Sequence, residues 1–378
     1  MNPFPDTTLL YILSQSYGQD FFDYQKIAIK LNFLTVSYEM TNLLLSFAIS
    51  AFFLSNFFID FILNCGEKLF QKSNKKDIFG LPIKEIFLIF VLYIFICFKF
   101  LIIFIIRYIT GNLFSETATE YLFEEINIFY FFFPLLMAIG VLIPKKFHKI
   151  LIICYFVIPL GFNIHDMIKK NDVNLNIFEK VDIEKLEKTL KDTVNKYNLN
   201  GKIYQEKNDT GLPNGKTCGH FNKYIIFLYG RDPEDTSKIC HGILAHEIGH
   251  VEDVSCLKKN CFNIFTTLVE CSVALLTYTN ILPLYSDKIS EFTAFSILSL
   301  IYIQTLHQII ETSHNLVARR TEVNADKFAK NLGYGENVIK ELFYLEHKSC
   351  LYPWNSNLYC LLKKVHPSLY SRQKWLLD

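Results

Sequence analysis

Two histidines and a glutamate lie within five residues at positions 246–250. His246 and His250 are four residues apart, so a helix places both imidazoles on one face, one turn apart. Two neutral imidazoles at this spacing can occupy two corners of a zinc tetrahedron, and Glu247 beside them can take a proton from an attacking water. The pattern predicts a zinc hydrolase site on a helix running from Cys240 to about Val254; the alternative is a solvated helix that carries the same residue types.

A third ligand is expected downstream, because a catalytic zinc ion usually has three protein ligands and one open position. Glu322 is the best candidate, and Asp326 lies four residues later on the same helical face. One carboxylate can bind zinc while the other accepts the second ring N–H of a histidine and so fixes its orientation. A Glu/Asp pair on a helix is otherwise typical of a solvated face. We therefore predict one Zn²⁺ held by His246, His250 and Glu322, with Asp326 behind a histidine.

The composition indicates a membrane protein rather than a soluble enzyme. Hydrophobic residues make up 51% of the 378-residue chain, and 36 residues are Phe. The net charge of +1 comes without a block of like charges, and we expect no nucleic-acid partner. The lipid bilayer is the expected partner, because six apolar runs are predicted spans. These runs are 40–59, 86–106, 126–143, 150–164, 261–285 and 292–310. The run 150–164 is short, and it can be a tilted or partly buried span or the return arm of a hairpin.

The changes in composition divide the chain into four predicted parts. Residues 1–165 hold four spans, 166–260 form a soluble insert with the zinc helix, 261–313 hold two spans, and 314–378 carry the third ligand. The predicted fold class is mainly α, a multi-span helical bundle with a metalloprotease domain that contains a small β-sheet. Within the insert, residue patterns predict a helix at 181–197, strands at 202–205 and 223–229, and a turn at 211–215.

Three polar residues lie inside the apolar runs, where ionisable groups are costly and often functional. They are Lys99, Glu270 and His307. They can line a hydrated chamber; alternatively, Lys99 extends to the membrane surface and the other two pair with neighbouring helices. The sequence leaves both interpretations open.

Several motifs, taken in order, resemble the type I CAAX prenyl proteases, which are membrane zinc endopeptidases of the endoplasmic reticulum. The zinc helix and the H-P segment near the end are the most specific of them. The resemblance implies a gluzincin-like catalytic domain and covers most of the chain. The matching segments are 14–20, 80–82, 203–204, 220–224, 243–250, 322–326 and 366–372.

The resemblance also implies roles and a substrate. His246, His250 and Glu322 bind zinc, and Glu247 is the general base. His366 and Arg372 face the site and hold the oxyanion or the substrate, while Asn222 on an edge strand binds the extended substrate backbone. The implied partners are prenylated C-terminal CAAX peptides or proteins, which lose their last three residues. The implied location is the endoplasmic reticulum or the nuclear envelope.

The chain departs from the family pattern in several ways. We count six spans where the family has seven, Lys223 replaces a small residue, and Ser368 replaces a proline. Lysines also cluster in two loops that the span count places opposite the catalytic segments, 68–76 and 145–149. Positive loops favour the cytosol, whereas the family places its catalytic segments there, so the orientation stays open.

Two other functions are compatible with the same residues. A membrane quality-control zinc protease that cuts misfolded or stalled chains keeps the enzyme class and changes the substrate. A catalytically inactive membrane scaffold keeps the fold alone, but the presence of three ligands, a base and Asp326 disfavours it.

Overall fold

The chain forms two compact units, in a computed structural model that describes part of its length. The described residues are 55–71, 77–78, 81–92, 175–207, 212–219, 223–232, 239–285, 288–304, 306–348, 360 and 364–377, with scattered positions in 41–54 and 94–165. The first unit includes residues 166–263 and 311–378, and the second includes 34–165 and 264–310. The four-part division expected from the sequence remains a prediction.

A four-stranded sheet lies in the first unit. Its strands are β3 (Phe178–Lys180), β4 (Ile203–Glu206), β5 (Asn214–Cys218) and β6 (Ile225–Tyr229). Their order is β3-β4-β6-β5; β4 and β6 are parallel, and the two outer pairs are antiparallel. The sequence predicted β4 and β6 to within two residues at each end. A small sheet in a mainly helical chain, as expected, is confirmed.

Strand β5 corrects the turn predicted at 211–215. Pro213, Asn214 and Gly215 have the residue types of a turn, but β5 begins at Asn214 and pairs with β6 from Asn214↔Tyr229 to Cys218↔Ile225. A glycine inside a strand often marks close approach of another group. Gly215 does so here, because a Cβ at this position would lie 2.6 Å from Cγ of Glu247.

Helices complete the first unit and cover the sheet. The helix predicted at 181–197 is a 3₁₀ turn at Ile183–Lys185 followed by α2 (Lys188–Lys196). The predicted zinc helix is α3 (His241–Glu252), and its ends lie within two residues of the predicted ends. Leu190, Ile226, Leu244 and Ile248 are fully buried where these elements pack together. The helices are α2 (Lys188–Lys196), α3 (His241–Glu252), the start of α4 (Ser255–Tyr285), most of α6 (Leu306–Asn331), α7 (Gly335–Lys348) and α8 (Leu369–Leu377).

The second unit is helical in its described part. It contains α1 (Asn56–Phe70), the short hairpin β1 (Asp77–Ile78) and β2 (Leu81–Pro82), most of α4 and α5 (Glu291–Gln304). Glu85 is buried and accepts hydrogen bonds from the Ser290 amide at 2.8 Å and the Thr293 hydroxyl at 2.6 Å. This carboxylate stabilises the N-terminus of α5, where backbone N–H groups lack helical partners.

The structure describes the six predicted spans to different extents. The run 126–143 lies outside the described residues, as does Lys99, and the runs 40–59, 86–106 and 150–164 are described only in part. Helix α4 covers the run 261–285, whereas 292–310 is divided between α5 and α6. Among the described residues, no helix meets both the length and the hydropathy expected of a membrane span.

Candidate active site

A buried carboxylate holds the N-terminus of α3, the helix that carries the zinc motif. Glu341 on α7 accepts hydrogen bonds from the backbone N–H groups of Gly242 at 3.1 Å and Ile243 at 2.6 Å. These amides would otherwise lack partners, and a carboxylate there also interacts favourably with the helix dipole. Burial raises the pKa of Glu341 to about 8. The sequence did not identify this residue, because its partner lies almost a hundred positions away.

The three predicted zinc ligands come together in the structure. Nε2 of His246 lies 3.3 Å from Oε2 of Glu322, and Nε2 of His250 lies 3.4 Å from Oε1 of the same carboxylate. One donor atom from each residue falls within 4.8 Å of the others, and all three residues are buried. The i, i+4 spacing therefore does present both imidazoles to one point, where α6 supplies the third donor.

The donor set fits a zinc ion. Two imidazole nitrogens and one carboxylate oxygen are a common ligand set of catalytic zinc, and they leave one position open. Oε2 of Glu322 is buried and has no hydrogen bond of acceptable geometry among the described residues, although ring nitrogens of His246 and His366 lie 3.3 and 3.0 Å away. A cation between the two Nε2 atoms and this carboxylate would satisfy that oxygen.

Asp326 lies directly behind the first histidine, as the sequence predicts. Its Oδ1 is 2.9 Å from Nδ1 of His246, which directs Nε2 of that ring toward Glu322. Arg372 binds the same carboxylate twice, through Nε at 2.8 Å and a terminal nitrogen at 2.6 Å. The indole N–H of Trp375 adds a third bond at 2.9 Å. Arg372 is 5% exposed, so its guanidinium is committed to Asp326.

Strand β5 positions Glu247, the predicted general base. The hydroxyl of Thr217 lies 2.6 Å from Oε2 of Glu247 and 2.9 Å from the main-chain carbonyl of the same residue. Gly215 leaves the space that the Glu247 side chain occupies. Burial raises the pKa of Glu247, which brings a carboxylate closer to the range useful for proton transfer near neutral pH. Thr217 was not identified from the sequence, because no strand was predicted at 214–218 and the turn predicted at 211–215 overlaps the start of β5.

The pKa values of the three predicted zinc ligands are shifted in different directions. Burial lowers the pKa of His250 to about 3, so this ring is neutral and able to bind a metal. Burial also opposes protonation of His246, but its contacts with the Asp326 and Glu322 carboxylates outweigh burial and raise its pKa to about 9. Glu322 is buried, yet its contacts with His246 and His366 hold its pKa well below the usual range. A metal at this site would therefore displace a proton from His246.

Two further side chains, a histidine and a lysine, lie close to the Glu322 carboxylate. Nδ1 of His366 lies 3.0 Å from Oε2, and the His366 side chain is 63% exposed. Nζ of Lys259 lies 3.5 Å from Oε1. His366 was expected here from the H-P segment, whereas Lys259 has no sequence signal apart from following the zinc helix. Asn222 lies outside the described residues, so its predicted contact with substrate remains a prediction.

Comparisons with known proteins agree with this geometry. Residues 233–377 match the family model of peptidase family M48. The fold is similar to the crystal structure of S. mikatae Ste24p, with a TM-score of 0.54 and 16% sequence identity over 94% of this chain and 87% of that chain. No curated protein matches the chain.

Residues 233–377 thus match a metallopeptidase family, and within this segment α3 carries two predicted zinc ligands and the predicted base, while α6 carries the third predicted ligand, Glu322. The M48 domain contains α3, Glu322, Asp326 and Arg372. The M48 match over residues 233–377 and the Ste24p-like fold support the resemblance to the type I CAAX prenyl proteases that the sequence motifs indicate.

Proposed function

We propose that this chain is a zinc-dependent membrane endopeptidase that removes the C-terminal three residues from prenylated CAAX proteins. The main support for the proposal is the convergence of His246, His250 and Glu322. Glu247 lies next to His246 on α3. The M48 family match supports peptide-bond cleavage. The resemblance of the sequence motifs supplies the substrate class.

The zinc ion would be held by the Nε2 atoms of His246 and His250 and by Glu322. When bound, zinc supplies Lewis-acid polarisation of the scissile carbonyl and of the attacking water. Glu247 takes the proton of that water and passes it to the leaving amine. Thr217 holds this carboxylate against β5 by a 2.6 Å contact.

His366 and Arg372 have different roles in the proposed reaction. His366 is exposed beside Glu322 and can donate to the oxyanion that forms at the scissile carbonyl. Arg372 is buried and fully engaged with Asp326, so it positions that carboxylate and, through it, the His246 ring. We therefore propose that Arg372 acts through Asp326, while the direct contact with the oxyanion or the substrate that the resemblance implies stays a prediction.

Exposed apolar side chains in the second unit support contact with a bilayer. Large hydrophobic residues on α1 and α4 project outward, and patches of this kind mark protein or membrane contacts. A membrane location suits a lipidated substrate, whose isoprenyl tail can remain in hydrocarbon while its peptide reaches the zinc site. The exposed side chains include Phe57, Phe61, Leu268, Leu275 and Leu276.

A cleavage assay on the purified full chain tests the proposal. A farnesylated CAAX peptide and its unprenylated counterpart are compared in detergent, with zinc removed by a chelator and then restored. We expect the farnesylated peptide to lose three residues, the unprenylated peptide to be cut at least tenfold more slowly, and both activities to require zinc. Equal cleavage of the two peptides would instead favour a quality-control protease that recognises unfolded chains.

A further inference from the structure

The turn between α3 and α4 has a strained backbone. Val254 joins the two helices with a φ of +55°, in the left-handed region that a β-branched residue rarely occupies. Glycine is the usual residue at this position after a helix, because it has no Cβ to clash. Strained residues of this kind persist where the surrounding structure holds them, and they cluster at functional sites. The residues of this turn are therefore candidates for a functional role.

The two residues that flank Val254 are linked by hydrogen bonds to His250, a predicted zinc ligand. Oγ of Ser255 is 3.1 Å from Nδ1 of His250, and Ser255 is 1% exposed. The same hydroxyl donates to Oδ2 of Asp253 at 3.0 Å. Because the hydroxyl gives its proton to Asp253, it is an acceptor toward His250. Nδ1 of His250 must then carry the hydrogen, which leaves Nε2 with its lone pair directed at Glu322.

Asp253 is itself fixed by two other side chains. Its Oδ1 accepts hydrogen bonds from Lys258 at 2.6 Å and from the amide of Asn324 at 2.8 Å. Asn324 lies on α6 between Glu322 and Asp326, the helix that supplies the third zinc ligand. The Asp253 carboxylate thus ties the end of α3 and the start of α4 to the ligand-bearing turn of α6.

We propose that Ser255 and Asp253 are positioning residues for zinc binding, and that they set the tautomer and orientation of His250. His246 is backed by a carboxylate directly, through Asp326. His250 is backed by a carboxylate through an intervening hydroxyl, and the strained turn at Val254 brings that hydroxyl under the ring. Partners of this kind orient a ligand histidine and increase its basicity, and their loss costs about 10–100-fold in metal affinity.

The proposal depends on the metal-binding part of the proposed function and not on its substrate. The test is therefore the zinc dissociation constant of the full chain, measured without substrate by competition with a fluorescent chelator. We expect Ser255→Ala to weaken zinc binding by about tenfold, since Nδ1–H of His250 loses its acceptor. Ser255→Thr keeps a hydroxyl and should retain most of the parent affinity. Visible absorption of the Co²⁺-substituted Ser255→Ala chain should also shift, because the imidazole is no longer held in one orientation.

Ser296→Ala is the matched control. Ser296 is a fully buried serine whose hydroxyl bonds a helix carbonyl at 2.8 Å, so the variant loses a comparable hydroxyl away from the zinc ligands. It should bind zinc as the parent chain does. Asp253→Asn provides a second test, because it removes the charge that holds the Ser255 hydroxyl while keeping the side chain's size; we expect a several-fold loss of zinc affinity.

The outcomes separate the two proposals. Parent-like zinc affinity in both Ser255→Ala and Asp253→Asn would overturn the positioning role, and so would an equal loss in Ser296→Ala. A parent chain that binds no zinc would overturn the metal site itself. Failure to cut a prenylated peptide, with these zinc affinities as expected, would overturn the proposed function and leave the positioning role in place.

Discussion

At the scale of single residues, one buried aspartate connects the zinc ligands to the C-terminal helix. Asp326 accepts from His246, from Arg372 twice and from Trp375, and it has no exposed surface. Burial alone would raise the pKa of this carboxyl. The Arg372 charge and the His246 hydrogen bond outweigh burial and hold the pKa of Asp326 well below its usual range. The carboxylate is therefore ionised throughout the range in which the enzyme would work.

This lowered pKa predicts how the stability of the metal-free chain depends on pH. The unfolded chain binds a proton at Asp326 near pH 4, whereas the folded chain does not, so the stabilisation is present above that pH and is lost as pH falls. We expect the free energy of unfolding to decrease between pH 6 and pH 3, measured by denaturant titration after zinc removal. Asp326→Asn should be less stable by about 3–5 kcal/mol at pH 6, because Arg372 is left buried without its partner. It should also show a shallower decrease toward acid pH; parallel curves for the two chains would contradict this explanation.

At the scale of elements, β5 is the strand that contacts the catalytic helix. Gly215 and Thr217 are two residues apart and therefore on the same face of the strand, the one that meets Glu247. One residue supplies space and the other supplies a hydrogen bond. The position of the general base thus depends on a strand as well as on its own helix.

Gly215→Ala tests this arrangement. The added Cβ would lie 2.6 Å from Cγ of Glu247 and 2.7 Å from Cγ2 of Ile243, so the helix or the strand must move. We expect a loss of about 1–3 kcal/mol of stability from overpacking. The turnover number should fall by about tenfold or more. Zinc content should stay unchanged, because the three atoms nearest to the added carbon belong to Glu247 and Ile243 and not to a predicted zinc ligand. Gly161→Ala is the control, since no atom of the described residues lies within 4 Å of the added carbon there; equal effects of both substitutions would refute the close-approach argument.

The sequence predicted the elements whose residue patterns are local. The i, i+4 histidines, the Glu322–Asp326 pair and the hydrophobic strands β4 and β6 follow from periodicity, and the structure brings them together as expected. Strand β5 was missed because Pro, Asn and Gly favour turns, whereas here glycine serves a tertiary contact. Ser255, Asp253 and Glu341 were missed for a related reason: their partners depend on a turn with positive φ or on a distant helix.

At the scale of the whole molecule, the described site residues come from two separate stretches of one unit. His246 and His250 come from residues 166–263, and Glu322, Asp326 and His366 come from 311–378. The residues between these stretches fall in the other unit, with most of the apolar runs. A peptidase site assembled in this way requires both stretches to fold before zinc can bind. The number of spans and the orientation of the chain in a membrane stay predictions.

We propose that this chain is a zinc peptidase in which Glu247 is the base and three other residues bind the zinc ion. Glu247→Gln measures this most directly, because the amide keeps the shape of the side chain and cannot take a proton. Zinc content and cleavage of a farnesylated CAAX peptide are measured on the same purified chain. We expect one zinc ion per chain, as in the parent, and a loss of at least a hundredfold in turnover. Turnover close to that of the parent chain, with zinc still bound, would contradict the assignment of the base and the mechanism that depends on it.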